Sequence, residues 1–405
     1  MPDFPNEVWS LIFESIDRPS HILNVVLTSK LFYTLAIRSL YRNLYWQITS
    51  PDLKSVPVIL TDYSAFSRSL PLTLTIKEHH VLSSATHSFS APNHWKVYRT
   101  VANSISTFSN LQTLTLDHTC LPNPLLFAIP HLPRLRHLCL RDVFFSCPIV
   151  TFPHNDNHIG FSLRAEPLEP ELQGSTSITE LTLWCCMRDS HRLNSSSFIK
   201  TLQCFIGPSL RVLRIDWCNT TARYLADQMQ VDVMLPTELE VLELKLPRVK
   251  AWSEGSSLWT LIEPLKVFLA SCPKLQRFAV VGHLPLLSLE SVGLPCLRSY
   301  SGPLLAAFPL LTASNGHVRE LEITDADETV GGMTPFLFDF AQVVPSITKL
   351  DIRILDWDME IVYAVVQLFP LLEHLGVKYK QGYPDEVLIS FLSLPHFTSQ
   401  PRIRL

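Results

Sequence analysis

Along residues 5–46 the apolar positions recur every three or four residues, the spacing that gathers side chains on one face of a helix. Val8, Leu11, Ile12 and Ile16 form one such stripe, widened by Trp9 and Phe13. Pro5 suits the opening turn, where a missing N–H costs nothing, Glu7 favours the positive helix end, and Arg18-Pro19 ends the segment. Ser20 is placed to cap a second helix, in which Ile22, Leu23, Val26 and Leu27 are apolar. After a break at Thr28-Ser29, a third helix carries Leu31, Phe32, Leu35, Leu40 and Tyr41, with Lys30, Arg38 and Arg42 on its other side. A module this small buries only a thin core, so helices this apolar call for an outside partner.

Beyond this head the period changes. Leu70, Leu72, Leu74 and Ile76 alternate as a strand does, and then a triplet, L-x-x-L-x-L, recurs to the end of the chain. It stands at Leu111/Leu114/Leu116, Leu135/Leu138/Leu140, Ile178/Leu181/Leu183 and Leu210/Leu213/Ile215. It continues at Leu239/Leu242/Leu244, Leu275/Phe278/Val280, Val318/Leu321/Ile323, Ile347/Leu350/Ile352 and Leu372/Leu375/Val377, with Leu297/Tyr300 a degenerate copy. Leu111 to Leu135 is 24 residues, Leu275 to Leu297 is 22 and Leu210 to Leu239 is 29. These fit the period of roughly 20–29 found in leucine-rich repeats. Leu135 to Ile178 is 43, so an insertion occupies 143–177.

Positions one, four and six of each triplet are expected to point inward, with the short strands stacked as a parallel sheet on the concave side of a solenoid. Apolar stretches at Thr201–Phe205, Trp259–Ala270, Phe336–Val343 and Glu360–Phe369 suit the returning helices. Proline just before a strand, as in Leu132-Pro-Arg-Leu135, Cys272-Pro-Lys-Leu275 and Phe369-Pro-Leu-Leu372, ends the preceding helix and sets an extended entry. Cys186 and Cys218 occupy the slot three residues beyond the last apolar position of the triplet, where such repeats place Asn or Cys to bond turn backbone, a structural role.

The opening Phe4-Pro5-Asn6-Glu7-Val8-Trp9-Ser10-Leu11-Ile12-Phe13 resembles the start of an F-box. Ser29-Lys30-Leu31-Phe32-Tyr33-Thr34-Leu35-Ala36 is similar to that family's third-helix segment. Phe4 stands where leucine is usual, and Thr28-Ser29 where Val-Cys is common. The resemblance covers about 45 residues, and with the repeats it points to the divergent fungal-type F-box/leucine-rich-repeat proteins. It implies an F-box at 1–48, a connector at 49–69 and a solenoid at 70–405. It further implies docking on the Skp adaptor through Pro5, Ile12, Leu23 and Leu27, and through that adaptor on a cullin.

Residues three, five and seven of each repeat should face the target. The row includes Arg141, Trp184, Arg214, Glu243, Glu322 and Asp351. Trp and Arg are the residue types that dominate binding hot spots. Most of the other charges on this row read as a solvated sheet face. The fold class expected is therefore α/β, a three-helix F-box followed by an irregular leucine-rich-repeat solenoid.

Composition narrows the function. The chain is 47% hydrophobic and 17% charged, enough to bury a large core, and its net charge of −4 shows no long basic run for a phosphate backbone. Nine cysteines without a C-x-x-C pair, and a start lacking a signal-peptide pattern, lead to free thiols and a cytoplasmic or nuclear location. The apolar runs are short and broken by proline, so no membrane span is expected. No nucleophile elbow, P-loop, H-E-x-x-H or dinucleotide fingerprint is present. His154 and His158 flank Asp156, but in a polar, loop-like stretch where no helix aligns the rings; His79-His80 and Trp357 read as surface. The expectation is an adaptor subunit of a Skp–cullin–F-box ubiquitin ligase with an unidentified protein target. It has no catalytic role, cofactor, metal, nucleic acid or membrane partner. The alternative is a non-degradative scaffold that recruits no cullin; a hydrolase hidden in the loops is the remaining class.

Overall fold

The head begins at Pro5, whose carbonyl accepts from Val8 N at 3.0 Å and Trp9 N at 3.3 Å, starting helix α1 (Asn6–Glu14). Helix α2 (Pro19–Val26) opens on Pro19 in its first turn, so that proline begins the second helix instead of ending the first, and Ser20 lies inside the helix instead of capping it. Ser29 caps α3 (Lys30–Arg42), its Oγ accepting from Phe32 N at 3.1 Å. Phe13, Ile22, Val26 and Ala36 form the buried centre, with Trp9, Ile16, Val25, Phe32, Leu35 and Leu40 packed around it. Trp9 and Phe13 lie 4.9 and 5.5 Å from the Phe32 ring. These three rings fill the space between α1 and α3 and set the rotation of α1. Of the stripe Val8, Leu11, Ile12 and Ile16, only Ile16 packs against the buried centre, and Val8, Leu11 and Ile12 are turned to solvent as a result.

The computed structural model describes residues 4–16, 18–49, 70–79, 92–119, 121–143, 177–184, 195–230, 236–246, 259–282, 289, 292–314, 316–325, 333–356, 358–381 and 402–404. They fall in two compact units, Met1–Phe205 and Ile206–Leu405.

In the first unit the sheet starts earlier than the alternation at 70–76 indicates. Residues 43–46 leave the third helix and join strand β1 (Asn43–Thr49), parallel to β2 (Thr73–His79). Next come α4 (Pro92–Ile105), β3 (Thr113–Asp117), α5 (Asn123–Ala128), β4 (His137–Arg141), β5 (Glu180–Trp184) and α6 (Ser195–Phe205). Each of β2 to β5 pairs in parallel with the strand before it. The register aligns Leu44, Leu74, Leu114, Leu138 and Leu181 in one file, with Trp46, Ile76, Leu116, Leu140 and Leu183 beside it.

The second unit runs β6 (Val212–Asp216), α7 (Asn219–Gln230), β7 (Val241–Lys245), α8 (Trp259–Ala270), β8 (Arg277–Val281), β9 (Ser299–Gly302) and α9 (Leu304–Ala313). It continues with β10 (Glu320–Ile323), α10 (Thr334–Val343), β11 (Lys349–Asp356), α11 (Met359–Leu368), β12 (His374–Gln381) and β13 (Arg402–Arg404). Again each strand pairs in parallel with its predecessor from β7 onward. Leu213, Leu242, Phe278, Tyr300, Leu321, Leu350, Leu375 and Ile403 make one file. Every residue of the nine triplets is buried. Parallel neighbours need a crossover, and where a helix lies between two strands it supplies that crossover while covering the apolar side.

Two local devices shape the strand entries and ends. The first residue of a triplet donates to the carbonyl three residues back, as Leu135 to Leu132 at 3.3 Å, Leu275 to Cys272 at 3.1 Å and Leu372 to Phe369 at 3.1 Å. Pro133, Pro273 and Pro370 therefore sit at the second position of a tight turn, where their fixed φ belongs, instead of in an extended entry. The degenerate copy has Gly302 in third place. A Cβ there would meet the Tyr300 hydroxyl at 2.6 Å, so the missing side chain makes room for the tyrosine, whose O–H donates to Pro303 O at 3.0 Å. Among the described residues no helix is long and apolar enough to cross a membrane.

Candidate functional site

Two surfaces stand out, one on the head and one on the strands. On the head, Pro5 is exposed at the start of α1, Ile12 is 39% exposed, and Leu23 and Leu27 are 46% and 76% exposed one helical turn apart on α2 and its C-terminal end. Leu11, Leu31 and Tyr33 add further exposed apolar surface. None of Pro5, Ile12, Leu23 and Leu27 belongs to the buried centre of the head. The helices hold together through other residues, aided by Arg42 of α3 and Glu14 of α1 at 3.9 Å.

On the strands, the third and fifth triplet positions alternate outward with the buried ones, as in β3, β4 and β7. In the first unit Lys77 Nζ meets Asp117 Oδ2 at 2.9 Å, and that hydrogen bond, followed by the charge attraction, raises the Lys77 pKa above its usual value. His137 Nδ1 lies 3.2 Å from Glu180 Oε2. Arg141 is exposed, in register between Asp117 and the half-buried Trp184. In the second unit Arg214 Nε and Glu243 Oε2 are 3.3 Å apart, so these two expected contact residues neutralise each other. Glu322 accepts from Ser301 Oγ at 2.8 Å, while Asp351 lies 3.4 Å from Lys349 Nζ and rests against Gly376, where a Cβ would collide with its carboxylate. The six expected target-facing residues are thus divided, Arg141 and Trp184 in one unit and the other four in the second.

Some strand positions do not face solvent. Asp216 and Thr182 occupy outward positions of the triplet pattern yet are buried. Cys218 is half-buried with its Sγ 3.4 Å from Thr221 Oγ1, which donates to Asp216 O at 2.9 Å, so the cysteine sits in the turn that leads into α7. Cys186, the cluster His154-Asp156-His158, His80, Trp357 and the 143–177 insertion apart from its ends lie outside the described residues. Asp358 caps α11, its Oδ1 accepting from Glu360 N at 2.8 Å.

The triplet pattern passes over one arrangement. His118 and Asp142 follow β3 and β4 with φ of 52° and 47°, a left-handed turn that His and Asp enter more readily than most residues. His118 lies 3.5 Å from Asp142 and 3.7 Å from Asp117. The only trace of this in the sequence is a polar residue two places beyond the last buried leucine. Among the described residues no group of three or more His, Cys, Asp or Glu is arranged to hold a metal ion.

No family model matches the chain, and no curated protein matches it either. Among solved structures, it is similar to the yeast complex of Rad7 and Elc1, with 13% identity and a TM-score of 0.36 over 94% of this chain and 91% of that one. It is also similar to a protein from Bacteroides fragilis, with 11% identity and a TM-score of 0.38 over 84% of this chain and 75% of that one. Both scores are too low to establish a shared fold.

Proposed function

We propose that the chain is a substrate-recognition adaptor. The helical head, read as an F-box on the resemblance of residues 4–13 and 29–36, docks a Skp-class adaptor and through it a cullin. The repeat strands hold a protein target. Transfer of ubiquitin is carried out by other subunits, and the chain contributes by holding the target near the loaded conjugating enzyme, a proximity effect. It needs no nucleophile, metal or cofactor of its own.

The observation that carries this reading is the position of Ile12, Leu23 and Leu27. They are the residues that match the docking surface, and they are apolar and exposed while other residues build the core. Apolar surface left in water is stabilised when a partner covers it, by about 25 cal/mol per Å². Affinity capture of the full chain from cells tests the proposal. Wild type should bring down a Skp-class adaptor and a cullin, and Ile12→Asp with Leu23→Asp should bring down neither. Capture of the adaptor without a cullin would replace the ligase with a non-degradative scaffold. Turnover of a substrate by the isolated chain would replace both.

A further inference from the structure

The helices that return between strands of the second unit carry a surface of their own. Helices α9, α10 and α11 close on the buried Ser314, Val344 and Phe369. Six residues before each of these stands an exposed aromatic: Phe308, Phe338 and Tyr363, at 40%, 52% and 52% exposure. Because α9 lies beside α10 and α10 beside α11, equivalent places on the three helices form one row across them. In α8 the same place, six residues before the buried Cys272, holds Lys266, which is paired with Glu263 at 2.9 Å. The aromatic row therefore begins at α9. Phe308 is steadied by the buried Phe340 of α10, the ring centroids 6.5 Å apart. One turn further along their helices, Gln342 and Gln367 are exposed beside the row.

The solvent side of a surface helix normally carries charged and polar residues of both signs. Helices α9, α10 and α11 contain no lysine or arginine, and their two acidic residues, Asp339 and Glu360, are both exposed. Among the described residues neither carboxylate lies within ion-pair distance of a cation. Three large rings left in water at equivalent places mark a surface that a partner covers. The acidic pair sets the sign of that partner. A lipid surface does not fit, since apolar faces that enter membranes are flanked by lysine and arginine. Twofold pairing with a second copy would bring four carboxylates together with no base between them. The spacing sets the partner's backbone. Packed helix axes lie about 8–10 Å apart. A polyproline II segment turns once in three residues, about 9 Å, so prolines at every third position meet successive rings. Its carbonyls are unpaired and available to the amides of Gln342 and Gln367, whereas a helix uses its carbonyls itself.

We propose that Phe308, Phe338 and Tyr363 form a docking ladder for a proline-rich protein segment in the polyproline II form. Its prolines stand three residues apart, and a basic flank meets Asp339 and Glu360. Such a segment seats its prolines against aromatic side chains and loses little conformational freedom, because its form exists before binding. The three rings are outside the core, so the row serves binding and not folding. This surface shares no residue with the head or the strand face, and the proposal does not rest on the ligase reading.

The test uses the full chain and two fluorescein-labelled peptides of identical composition. Pro-Ala-Gln-Pro-Ala-Gln-Pro-Ala-Arg-Arg places its prolines at the spacing of the row. Its isomer, Ala-Pro-Ala-Pro-Ala-Pro-Gln-Gln-Arg-Arg, places them two residues apart, which turns successive prolines to different sides. Fluorescence anisotropy should show the first peptide binding at least about ten-fold more tightly. Phe338→Ala with Tyr363→Ala should bring the ratio to about one, and Val267→Ala, exposed on α8 outside the row, should leave it unchanged. Wild type should prefer the first peptide to a copy ending in Glu-Glu, and Asp339→Lys with Glu360→Lys should reverse that preference. A reversed preference requires a folded face, so loss of fold cannot imitate it. Equal binding of the two isomers by wild type, or no binding of either, overturns the proposal. So does a spacing preference that survives loss of both rings, or a charge preference that ignores the lysine variant. Tighter binding of a basic amphipathic helix of leucine and lysine, lost with the same two rings, overturns it in favour of a helical partner.

Discussion

Val26 and Leu27 are neighbours in sequence with opposite surroundings. Val26 is packed in the centre of the head, and Leu27 is 76% exposed. Val26→Ala removes two buried carbons, which at about 0.8 kcal/mol each, with a small cavity left behind, costs about 2 kcal/mol of local stability. Leu27→Ala removes three carbons already in water and should change folding by less than about 0.5 kcal/mol. If a partner covers Leu27, the same truncation costs about 2 kcal/mol of binding, or about thirty-fold in Kd. The two effects are read separately on the full chain. Hydrogen–deuterium exchange of the amides in Lys30–Arg42 gives the opening free energy of the head, and interferometry against a purified Skp-class adaptor gives the affinity. Val26→Ala should accelerate exchange strongly. Leu27→Ala should leave exchange alone and weaken capture. A Leu27→Ala chain that exchanges faster by the equivalent of about 2 kcal/mol while binding normally would refute the reasoning, because Leu27 would then belong to the core.

Other outcomes follow from single contacts. Leu242→Ala, in the fully buried file of the second unit, should destabilise that unit by about 2–5 kcal/mol in urea unfolding, whereas Glu243→Ala on the same strand should cost less than about 1 kcal/mol. Gly302→Ala should cost about 1–3 kcal/mol, since the new methyl meets the buried Tyr300 hydroxyl, and Tyr300→Phe should recover part of that loss in a double-mutant cycle. Burial pushes the Cys272 thiol up to about 11 from 9.0, and its Sγ donates to Phe268 O at 3.2 Å. Iodoacetamide at pH 8 should therefore modify the exposed Cys296 well before Cys272, which should react only on unfolding. Because the folded pKa of Cys272 is the higher one, its contribution to stability is complete below pH 9 and is lost as the pH rises toward about 11. A Cys272→Ala chain should show a flatter alkaline limb in unfolding measurements.

The repeats were legible because burial on one side of a short strand writes a period of two, and nine triplets carry it without exception. Helices α8, α10 and α11 were legible as apolar runs between triplets. Helix α9 was not, because Leu304–Ala313 is apolar on all sides and contains Pro309, so it shows no face and reads as a broken run. Strand β1 was hidden for a related reason: Asn43-Leu-Tyr-Trp-Gln-Ile continues the third helix as naturally as it begins a strand, and only its pairing with β2 decides. On the head, sequence located the apolar residues but not the rotation of α1, which depends on three aromatic rings from two helices meeting in one place.

The claim that matters most is that the head, and not the strand face, receives the adaptor. Deuterium exchange of the full chain with and without a purified Skp-class adaptor tests it directly. The account predicts new protection over Pro5–Leu27, with the amides of β9 to β12 unchanged. Protection confined to the strands, or a head whose exchange ignores the adaptor at saturating concentration, would contradict it.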